Sequence, residues 1–269
     1  MAELPKGETM KHIVQFSGGI GSWAAAKRVA AQHGTDDLLL VFCDTLTEDE
    51  DLYRFLYEAH ENVGGTLVHL CDGRDIWQVF NAERFVSAPH GAACTRVLKQ
   101  EISDRWRVSN FAPDECVIYV GIDWSEMHRF EGDGERPGLR KLLHPYRVEA
   151  PMCDPPYMTK NQMLQWLERE GIKRPRLYEL GFAHNNCGGR CVKAGIGHWV
   201  HLLRVLPERY AECEAEEQKL IALIGRPILR WRSGPKQGQP MSLRELREHV
   251  QGGGQWDLFE WGGCACFAA

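Results

Sequence analysis

A glycine-rich loop stands between the first predicted strand and the first predicted helix of the chain. The loop reads Phe16-Ser-Gly-Gly-Ile-Gly-Ser22. Glycine allows a backbone to approach a ligand closely and to adopt torsion angles that other residues avoid. Successive backbone amides at a helix N-terminus attract anions, and the serine hydroxyl groups add donors. The spacing fits neither the Walker pattern nor the dinucleotide pattern. The loop is therefore an anion site of another class or a turn that serves packing alone.

A second glycine-rich segment carries two cysteines. It reads Asn185-Asn-Cys-Gly-Gly-Arg-Cys191, in a chain with ten cysteines. Zinc ions and iron–sulfur clusters both accept thiolate ligands from such a turn. Two cysteines do not complete a metal site, and the C-terminal tail offers Cys264 and Cys266. The alternative is that thiols pack as small apolar groups. That description suits four scattered cysteines: Cys43, Cys71, Cys116 and Cys213.

Strand and helix patterns alternate along the first half of the chain. Predicted strands cover 12–16, 38–43, 66–70 and 117–121, and predicted helices cover 23–32, 48–61, 76–83 and 95–107. Strands separated by helices of this length form right-handed βαβ units. The sequence predicts a doubly wound, mostly parallel α/β sheet over residues 10–225, with a small C-terminal extension over residues 226–269.

The later segments are less regular. Residues 128–158 are rich in glycine, proline and charge, and they predict a long loop. The patterns predict helices over 160–170 and 207–224. Ser242 and Glu245 form a capping box at the start of a last short helix.

Composition and charge exclude several classes of protein. Of 269 residues, 43% are hydrophobic, which excludes wholesale disorder. Lysine and arginine number 32 and aspartate and glutamate 37, so the net charge is −5. This balance argues against a generally basic nucleic-acid-binding surface, although a local basic patch is compatible with it. The longest apolar run, residues 38–43, is too short to span a membrane. With no secretory segment visible, we expect a cytoplasmic protein.

The first loop resembles the PP-loop of the N-type ATP pyrophosphatases, a superfamily that includes the phosphoadenylyl-sulfate (PAPS) reductases. The usual form of that loop is S-G-G-x-D-S. Further segments are similar to family motifs and follow in family order over residues 12–210. They are Phe42-Cys-Asp-Thr45, Cys94-Thr-Arg-Val-Leu-Lys99, Val120-Gly-Ile-Asp-Trp-Ser-Glu-Met-His-Arg129, and the stretch from Leu177-Tyr through Gly181 to Cys187.

The resemblance implies that ATP or another adenine nucleotide binds this fold. The residues at matching positions are Ser17, Gly18, Gly19, Gly21, Ser22, Asp44, Lys99 and Arg129. Arg96 is a further candidate for a phosphate or sulfate contact. Gly21 replaces the usual aspartate of the loop, which puts ATP cleavage in question, and Asp123 replaces a family arginine. Asp44 is the best candidate for a Mg²⁺ ligand and is a candidate catalytic residue, because it ends a strand. The acidic run 48–51 reads mainly as a solvated helix start.

The resemblance also implies roles for the cysteines. Iron–sulfur members of the superfamily hold a 4Fe-4S cluster with cysteines from corresponding regions. This points to Cys94, Cys187, Cys191 and one of Cys264 and Cys266 as ligands, with zinc as the alternative metal. Sulfonucleotide reductases carry a C-terminal cysteine that attacks the sulfonyl group of the substrate and forms a thiosulfonate. Cys264 or Cys266 can act similarly, although the cluster competes for them.

Three functions are consistent with these features. The first is a sulfonucleotide reductase-like enzyme, which needs an adenine nucleotide substrate and a reductant protein. The second is an ATP-dependent sulfur transferase, which adenylates a nucleic acid or a small molecule and then delivers sulfur from a donor. The third is a non-catalytic nucleotide- or metal-binding module. Nucleic acid is not indicated as a partner, because no basic–aromatic array appears, and no membrane partner is expected.

Overall fold

The computed structural model describes residues 9–88, 91–232 and 235–254. Its main strands are β1 (Lys11–Gln15), β2 (Leu38–Asp44), β3 (Thr66–Cys71), β6 (Cys116–Tyr119) and β7 (Arg147–Glu149). They form one parallel sheet in the order β3-β2-β1-β6-β7. Two short ladders lie outside it, β4 (Ser87–Ala88) with β5 (Gly91–Ala92) and β8 (Leu229–Arg230) with β9 (Pro240–Met241). The predicted α/β class is confirmed.

Helices follow nearly every strand of the main sheet. They are α1 (Ile20–His33), α2 (Glu50–Val63), α3 (Ile76–Glu83), α4 (Ala93–Thr95), α5 (Ile102–Asn110), α6 (Met127–Glu131), α7 (Leu139–Leu142), α8 (Lys160–Arg169), α9 (Arg176–Glu179), α10 (Ile196–Val205), α11 (Pro207–Ile224) and α12 (Leu243–Gln251). A π-helical segment, Arg96–Glu101, joins α4 directly to α5. For the helices whose bounds the sequence predicted, the observed bounds fall within three residues of the predicted ones.

Alternation along β2 explains how the sheet is covered on both faces. Leu38, Leu40 and Phe42 pack with α1, α2 and α8. Leu39, Val41 and Cys43 point the other way, toward Trp106 of α5 and Phe111. Because successive side chains of a strand point to opposite faces, a strand with every residue buried needs helices on both sides. Helices on both sides of the sheet therefore cover the uninterrupted apolar run of β2.

The strand order places a crevice at the middle of the sheet. The chain moves outward from β1 through β2 to β3 and then returns to the other side of β1 for β6 and β7. The loops that follow β1 and β6 therefore leave the sheet in opposite directions. Ligands of doubly wound folds bind at such a switch point, beyond the carboxyl ends of the strands.

The prediction of a long loop over residues 128–158 is wrong. This segment contains α6, α7 and the edge strand β7, and a 3₁₀ turn, Pro151–Cys153, follows. Strand β7 has three residues and one buried side chain, Val148. A strand this short shows no alternation that a sequence pattern can reveal. It becomes a strand because the edge of β6 supplies hydrogen-bond partners.

A second apolar cluster lies beside the sheet and includes the C-terminal helices. Tyr210 and Leu220 of α11 pack there with Leu243 and Leu246 of α12. Tyr210 also donates a hydrogen bond of 2.7 Å to the carbonyl oxygen of Leu243. The capping box predicted for Ser242 and Glu245 is confirmed. None of the helices among the described residues combines the length and apolar character that crossing a membrane requires.

Glu217 of α11 is fully buried and gives the fold a dependence on pH. Its carboxylate accepts hydrogen bonds from the backbone amides of Ile228 and Leu243, at 3.0 and 2.6 Å. Burial raises its pKa from 4.5 to about 7. Between these values the folded chain binds more protons than the unfolded chain, so stability falls as the pH rises. A shift of this size corresponds to at most about 3 kcal/mol.

We therefore expect the wild-type chain to lose stability relative to Glu217→Gln as the pH rises from 5 to 8. Urea denaturation of both proteins across this range measures the difference. A difference that does not change with pH would show that Glu217 stays ionised throughout.

Candidate functional site

A cavity of about 410 Å³ lies at the switch point, between the carboxyl ends of β1 and β6. The glycine-rich loop forms one wall, through Ser17 and residues 19–22, and residues 120–126 form another. Residues 158–160 and 184–186 close the remaining sides. Of the residues predicted to bind nucleotide, Ser17, Gly19, Gly21, Ser22 and Arg129 line this cavity.

The start of α1 offers backbone amides to the cavity. Gly19 is the N-cap residue, and no side chain caps the helix there. The hydroxyl group of Ser22 donates to the carbonyl oxygen of Gly19 at 2.8 Å, and the amide of Ile20 donates to the Tyr178 hydroxyl at 3.3 Å. A helix N-terminus without an acidic cap carries partial positive charge and binds anions.

Gly18 does not line this cavity. Its φ of +72° lies in the left-handed region, and a Cβ atom there would meet the Leu52 side chain at 2.9 Å. Its carbonyl oxygen accepts a 2.9 Å hydrogen bond from Nδ2 of Asn185. Gly18 therefore shapes the loop and joins it to the cysteine segment. A bulky residue at position 18 would strain the fold as well as the ligand site.

Close packing of the loop explains why position 21 holds glycine where the usual loop sequence has aspartate. A Cβ atom on Gly21 would lie 2.6 Å from the carbonyl oxygen of Gly121, and one on Gly121 would lie 2.5 Å from the Ser22 amide nitrogen. The loop thus packs backbone to backbone against the end of β6. A carboxylate side chain at position 21 has no room in this arrangement.

Arg129 supplies a guanidinium group to the same cavity. Its Nη1 donates to Glu126 at 2.6 Å, and among the residues that the structure describes its buried Nε has no hydrogen-bond partner. Asp123, which replaces the family arginine, caps the 3₁₀ turn Trp124–Glu126 by accepting from the Ser125 amide at 2.9 Å. Arginine is suited to contacts with phosphate or sulfate oxygens, so Arg129 can complete an anion site.

Three of the predicted metal ligands line a second, smaller cavity. Cys94, Cys187 and Cys191 share it with Lys99 and Arg190. Its volume is about 20 Å³, which is room for roughly one water molecule. Lys99 therefore lies with the thiols and does not line the larger cavity. Both cations of this cavity have acidic partners, Glu48 for Lys99 at 3.9 Å and Glu212 for Arg190 at 3.0 Å.

The cysteine turn takes an unusual backbone path. Cys187, Gly188 and Gly189 all have positive φ angles, of 54°, 55° and 80°. A Cβ atom on Gly188 would lie 2.8 Å from the carbonyl oxygen of Thr47. Only glycine combines this torsion with so close an approach, which accounts for the Gly-Gly pair between the cysteines.

The acidic run 48–51 follows β2 and supports the cysteine turn. The prediction that this run is a solvated helix start is wrong for Glu48 and Asp49. The side chain of Glu48 is 2% exposed, and it accepts from the Cys187 amide and the Thr45 hydroxyl. Asp49 is fully buried. It accepts from Arg176 and from Arg209, each at 2.8 Å. The sequence showed the acidic residues but not their distant partners.

Arg209 and His198 also contact the turn directly. Arg209 donates to the carbonyl oxygen of Gly188 at 2.8 Å. Nε2 of His198 lies 2.7 Å from the carbonyl oxygen of Gly189. Burial lowers the pKa of His198, which favours the neutral ring as a hydrogen-bond donor. His198 therefore positions the turn.

The two cavities are joined by one short segment. Asn185 and Asn186 line the larger cavity, and Cys187 follows them into the thiol cavity. Asn185 is 1% exposed, and within the described part of the chain its Oδ1 has no hydrogen-bond partner. A ligand in the larger cavity would thus contact the two residues that directly precede Cys187 in the chain.

Other predicted site residues lie elsewhere. Asp44 lines neither cavity. Its carboxylate accepts from the Leu46 amide and the Tyr53 hydroxyl and lies 3.0 Å from Nε2 of His69. Arg96 is a surface cation that pairs with Glu83 and Glu101. Asp44 as catalyst or Mg²⁺ ligand therefore stays a prediction that this geometry does not favour.

The remaining cysteines divide into buried and exposed thiols. Burial raises the pKa of Cys43 and Cys213 to about 12 and that of Cys116 to about 11, so these thiols are unreactive. Cys71 is exposed, and the description of it as a packed thiol is wrong. Cys264 and Cys266 lie outside the described residues.

Among residues 9–88, 91–232 and 235–254, no three Cys, His, Asp or Glu side chains come together as a metal site. The donor types at the thiol cavity suit zinc or an iron–sulfur cluster. A cluster there would require the walls of the cavity to separate, and its fourth predicted ligand is a tail cysteine. The metal centre stays a prediction.

Comparison with known proteins adds no argument about the fold or the site. No family model and no curated protein matches the sequence. Among solved structures, the chain is similar to phosphoadenylyl-sulfate (PAPS) reductase from Candida auris in a phosphate complex, with a TM-score of 0.43 and 12% sequence identity. The match covers 63% of this chain and 78% of that one. A likeness this distant carries no functional argument, so the fold class rests on the strand order.

Proposed function

We propose that the chain is an enzyme that binds an adenine nucleotide at the loop 17–22 and performs sulfur chemistry on it with cysteine thiols. The best-supported reaction is of the PAPS reductase kind. The observation that carries this proposal is the junction of the two cavities, where an anion-binding helix start and three cysteines are connected by residues 185–187.

The nucleotide would place its phosphate group at the amides of α1, beside Arg129. A ligand with both a phosphate and a sulfonyl group would direct its sulfur along residues 185–187 toward the thiol cavity. Gly21 supports this reaction over ATP cleavage, because the loop has no space for the carboxylate that handles magnesium and pyrophosphate in the ATP-cleaving relatives it resembles.

The proposed reaction uses two thiols. The thiolate of Cys264 or Cys266 attacks the sulfonyl sulfur, a sulfur–sulfur bond forms, the bond from sulfur to the phosphate oxygen breaks, and the nucleotide leaves with that electron pair. A second thiolate then attacks the cysteine sulfur of the thiosulfonate, which releases sulfite and forms a disulfide. A dithiol reductant restores both thiols. Lys99 and Arg190 line the thiol cavity and would stabilise a second thiolate supplied from it.

A metal centre is compatible with this assignment when the dithiol reductant supplies the second thiolate, because the centre would occupy Cys94, Cys187 and Cys191. Cys94, Cys187, Cys191 and one tail cysteine would hold a 4Fe-4S cluster, or zinc in its place. Such a group would hold the cysteine turn in one conformation through its thiolate ligands.

The test is sulfite release from PAPS by the full-length chain, purified anaerobically and supplied with a dithiol reductant. We expect reductant-dependent release in the wild type and a loss of at least about 100-fold in Cys187→Ser, as expected when a group in the catalytic array is removed. Metal analysis and an absorbance spectrum of both proteins show whether Cys187 also holds a metal, which its serine variant would then lose.

Cys71→Ser is the matched control, because Cys71 is an exposed thiol that lines neither cavity. It should release sulfite at the wild-type rate. Pyrophosphate release from ATP without sulfite release from PAPS would contradict the reductase and support the ATP-dependent sulfur transferase. Nucleotide binding without either reaction would support a binding module.

A further inference from the structure

An exposed tryptophan stands in the wall of the larger cavity. Trp124 is 43% exposed, and it begins the 3₁₀ turn that follows β6. It lines the same cavity as the loop residues 19–22. Large aromatic rings at a protein surface lose favourable burial unless a ligand or partner covers them. The position of this ring in the lining of the cavity, more than its exposure, points to contact with a ligand.

The structure holds the Trp124 ring in place while leaving it exposed. Its Nε1 donates a 3.2 Å hydrogen bond to the carbonyl oxygen of Met158. The ring centroid of Tyr157 lies 6.1 Å from that of Trp124, at an angle of 51°. Asp123 fixes the turn below through the amide and hydroxyl groups of Ser125. A ring held in this way loses little conformational freedom when a flat group stacks on it.

Other residues that line the cavity have a complementary character. Backbone amides at the start of α1 and the guanidinium group of Arg129 suit an anion. The apolar side chains of Ile122, Met158 and Met163 also line the cavity. A ligand that contacts all of these groups needs a phosphate group for the amides and Arg129 and a flat ring for Trp124.

We propose that Trp124 is the stacking platform for the base of the nucleotide. This inference rests on the proposed nucleotide binding and adds the residue that recognises the base. It assigns the phosphate to the loop and the base to the mouth of the cavity, beside Tyr157. The site is then selective for nucleoside phosphates over phosphates without a ring.

Isothermal titration calorimetry with ADP and with pyrophosphate, on the full-length chain, tests this assignment. In Trp124→Ala we expect the affinity for ADP to fall about 10-fold, the usual effect of removing a ring on which a base stacks. The affinity for pyrophosphate should not change, since it contacts only the loop. Trp124→Phe should recover most of the ADP affinity, because it keeps a ring.

Tyr57→Ala is the control, because Tyr57 is an exposed aromatic residue of α2 that lines neither cavity. It should bind both ligands as the wild type does. Equal ADP affinity in the wild type and Trp124→Ala would overturn the platform, and so would an equal loss for ADP and pyrophosphate. A wild-type chain that binds neither ligand would contradict the proposed function itself.

Discussion

Replacing Gly21 with alanine should abolish nucleotide binding, with an expected loss of affinity of about 100-fold or more. The added Cβ atom would lie 2.6 Å from the carbonyl oxygen of Gly121. The obstacle is the backbone of Gly121, which has no side chain that could rotate away. Either the loop moves from the end of β6 or the strand shifts, and both changes misplace the amides that would hold a phosphate. Overpacking of this kind also destabilises a fold by about 1–3 kcal/mol.

Gly19→Ala is the matched control for stability within the same loop. The nearest atom to its added Cβ would be the Ser17 hydroxyl oxygen at 3.6 Å, an ordinary contact, and Gly19 has a negative φ of −101°. Thermal denaturation should show a clear loss of stability for Gly21→Ala and little change for Gly19→Ala. Calorimetry with ADP then measures binding. Wild-type stability and affinity in Gly21→Ala would refute the close packing of the loop against β6.

Replacing Asp49 with asparagine should lower the free energy of unfolding by about 2–3 kcal/mol, less than the loss usual for a fully buried ion pair, because Arg176 is 39% exposed and water screens its charge. Asp49 is fully buried between Arg176 and Arg209. Burial alone would raise the pKa of Asp49, but hydrogen bonds from the two arginines hold it below its usual value. The stabilising contribution is therefore present at neutral pH and is lost as the pH falls through that lowered pKa.

The same substitution should loosen the cysteine turn. Arg209 donates to both Asp49 and Gly188, so a displaced Arg209 no longer holds the turn. We expect faster alkylation of the thiols in Asp49→Asn than in the wild type. Urea denaturation at pH 7 gives the stability difference, and mass spectrometry after brief alkylation gives the reactivity.

Glu58→Gln is the control for charge removal on the same helix. Glu58 is 42% exposed and pairs with Arg54 at 2.6 Å. An exposed pair of this kind contributes less than about 1 kcal/mol, and the partner of Glu58 is Arg54 of the same helix, not a residue of the cysteine turn. A similar loss in both variants would mean that Asp49 acts only through the general charge of the helix.

The sequence by itself determined the architecture and the parts of the candidate site that are local. Alternating strand and helix patterns predicted the parallel sheet, because each pattern reflects burial along a single element. The loop 17–22 and the segment 185–191 were visible for the same reason, since consecutive residues form each turn. The short strand β7 was missed, because its three residues depend on pairing with β6.

Only the tertiary structure decided what surrounds these turns. Arg176 and Arg209 lie 127 and 160 positions from Asp49 along the chain, and an acidic helix start looks alike in sequence whether water or arginine faces it. Gly21 lies after β1 and Gly121 after β6, and no local sequence pattern indicates that these two residues are in contact. Folding brought the cysteine segment beside the glycine-rich loop, because the order of strands in the sheet, and not their order in the chain, determines which loops meet.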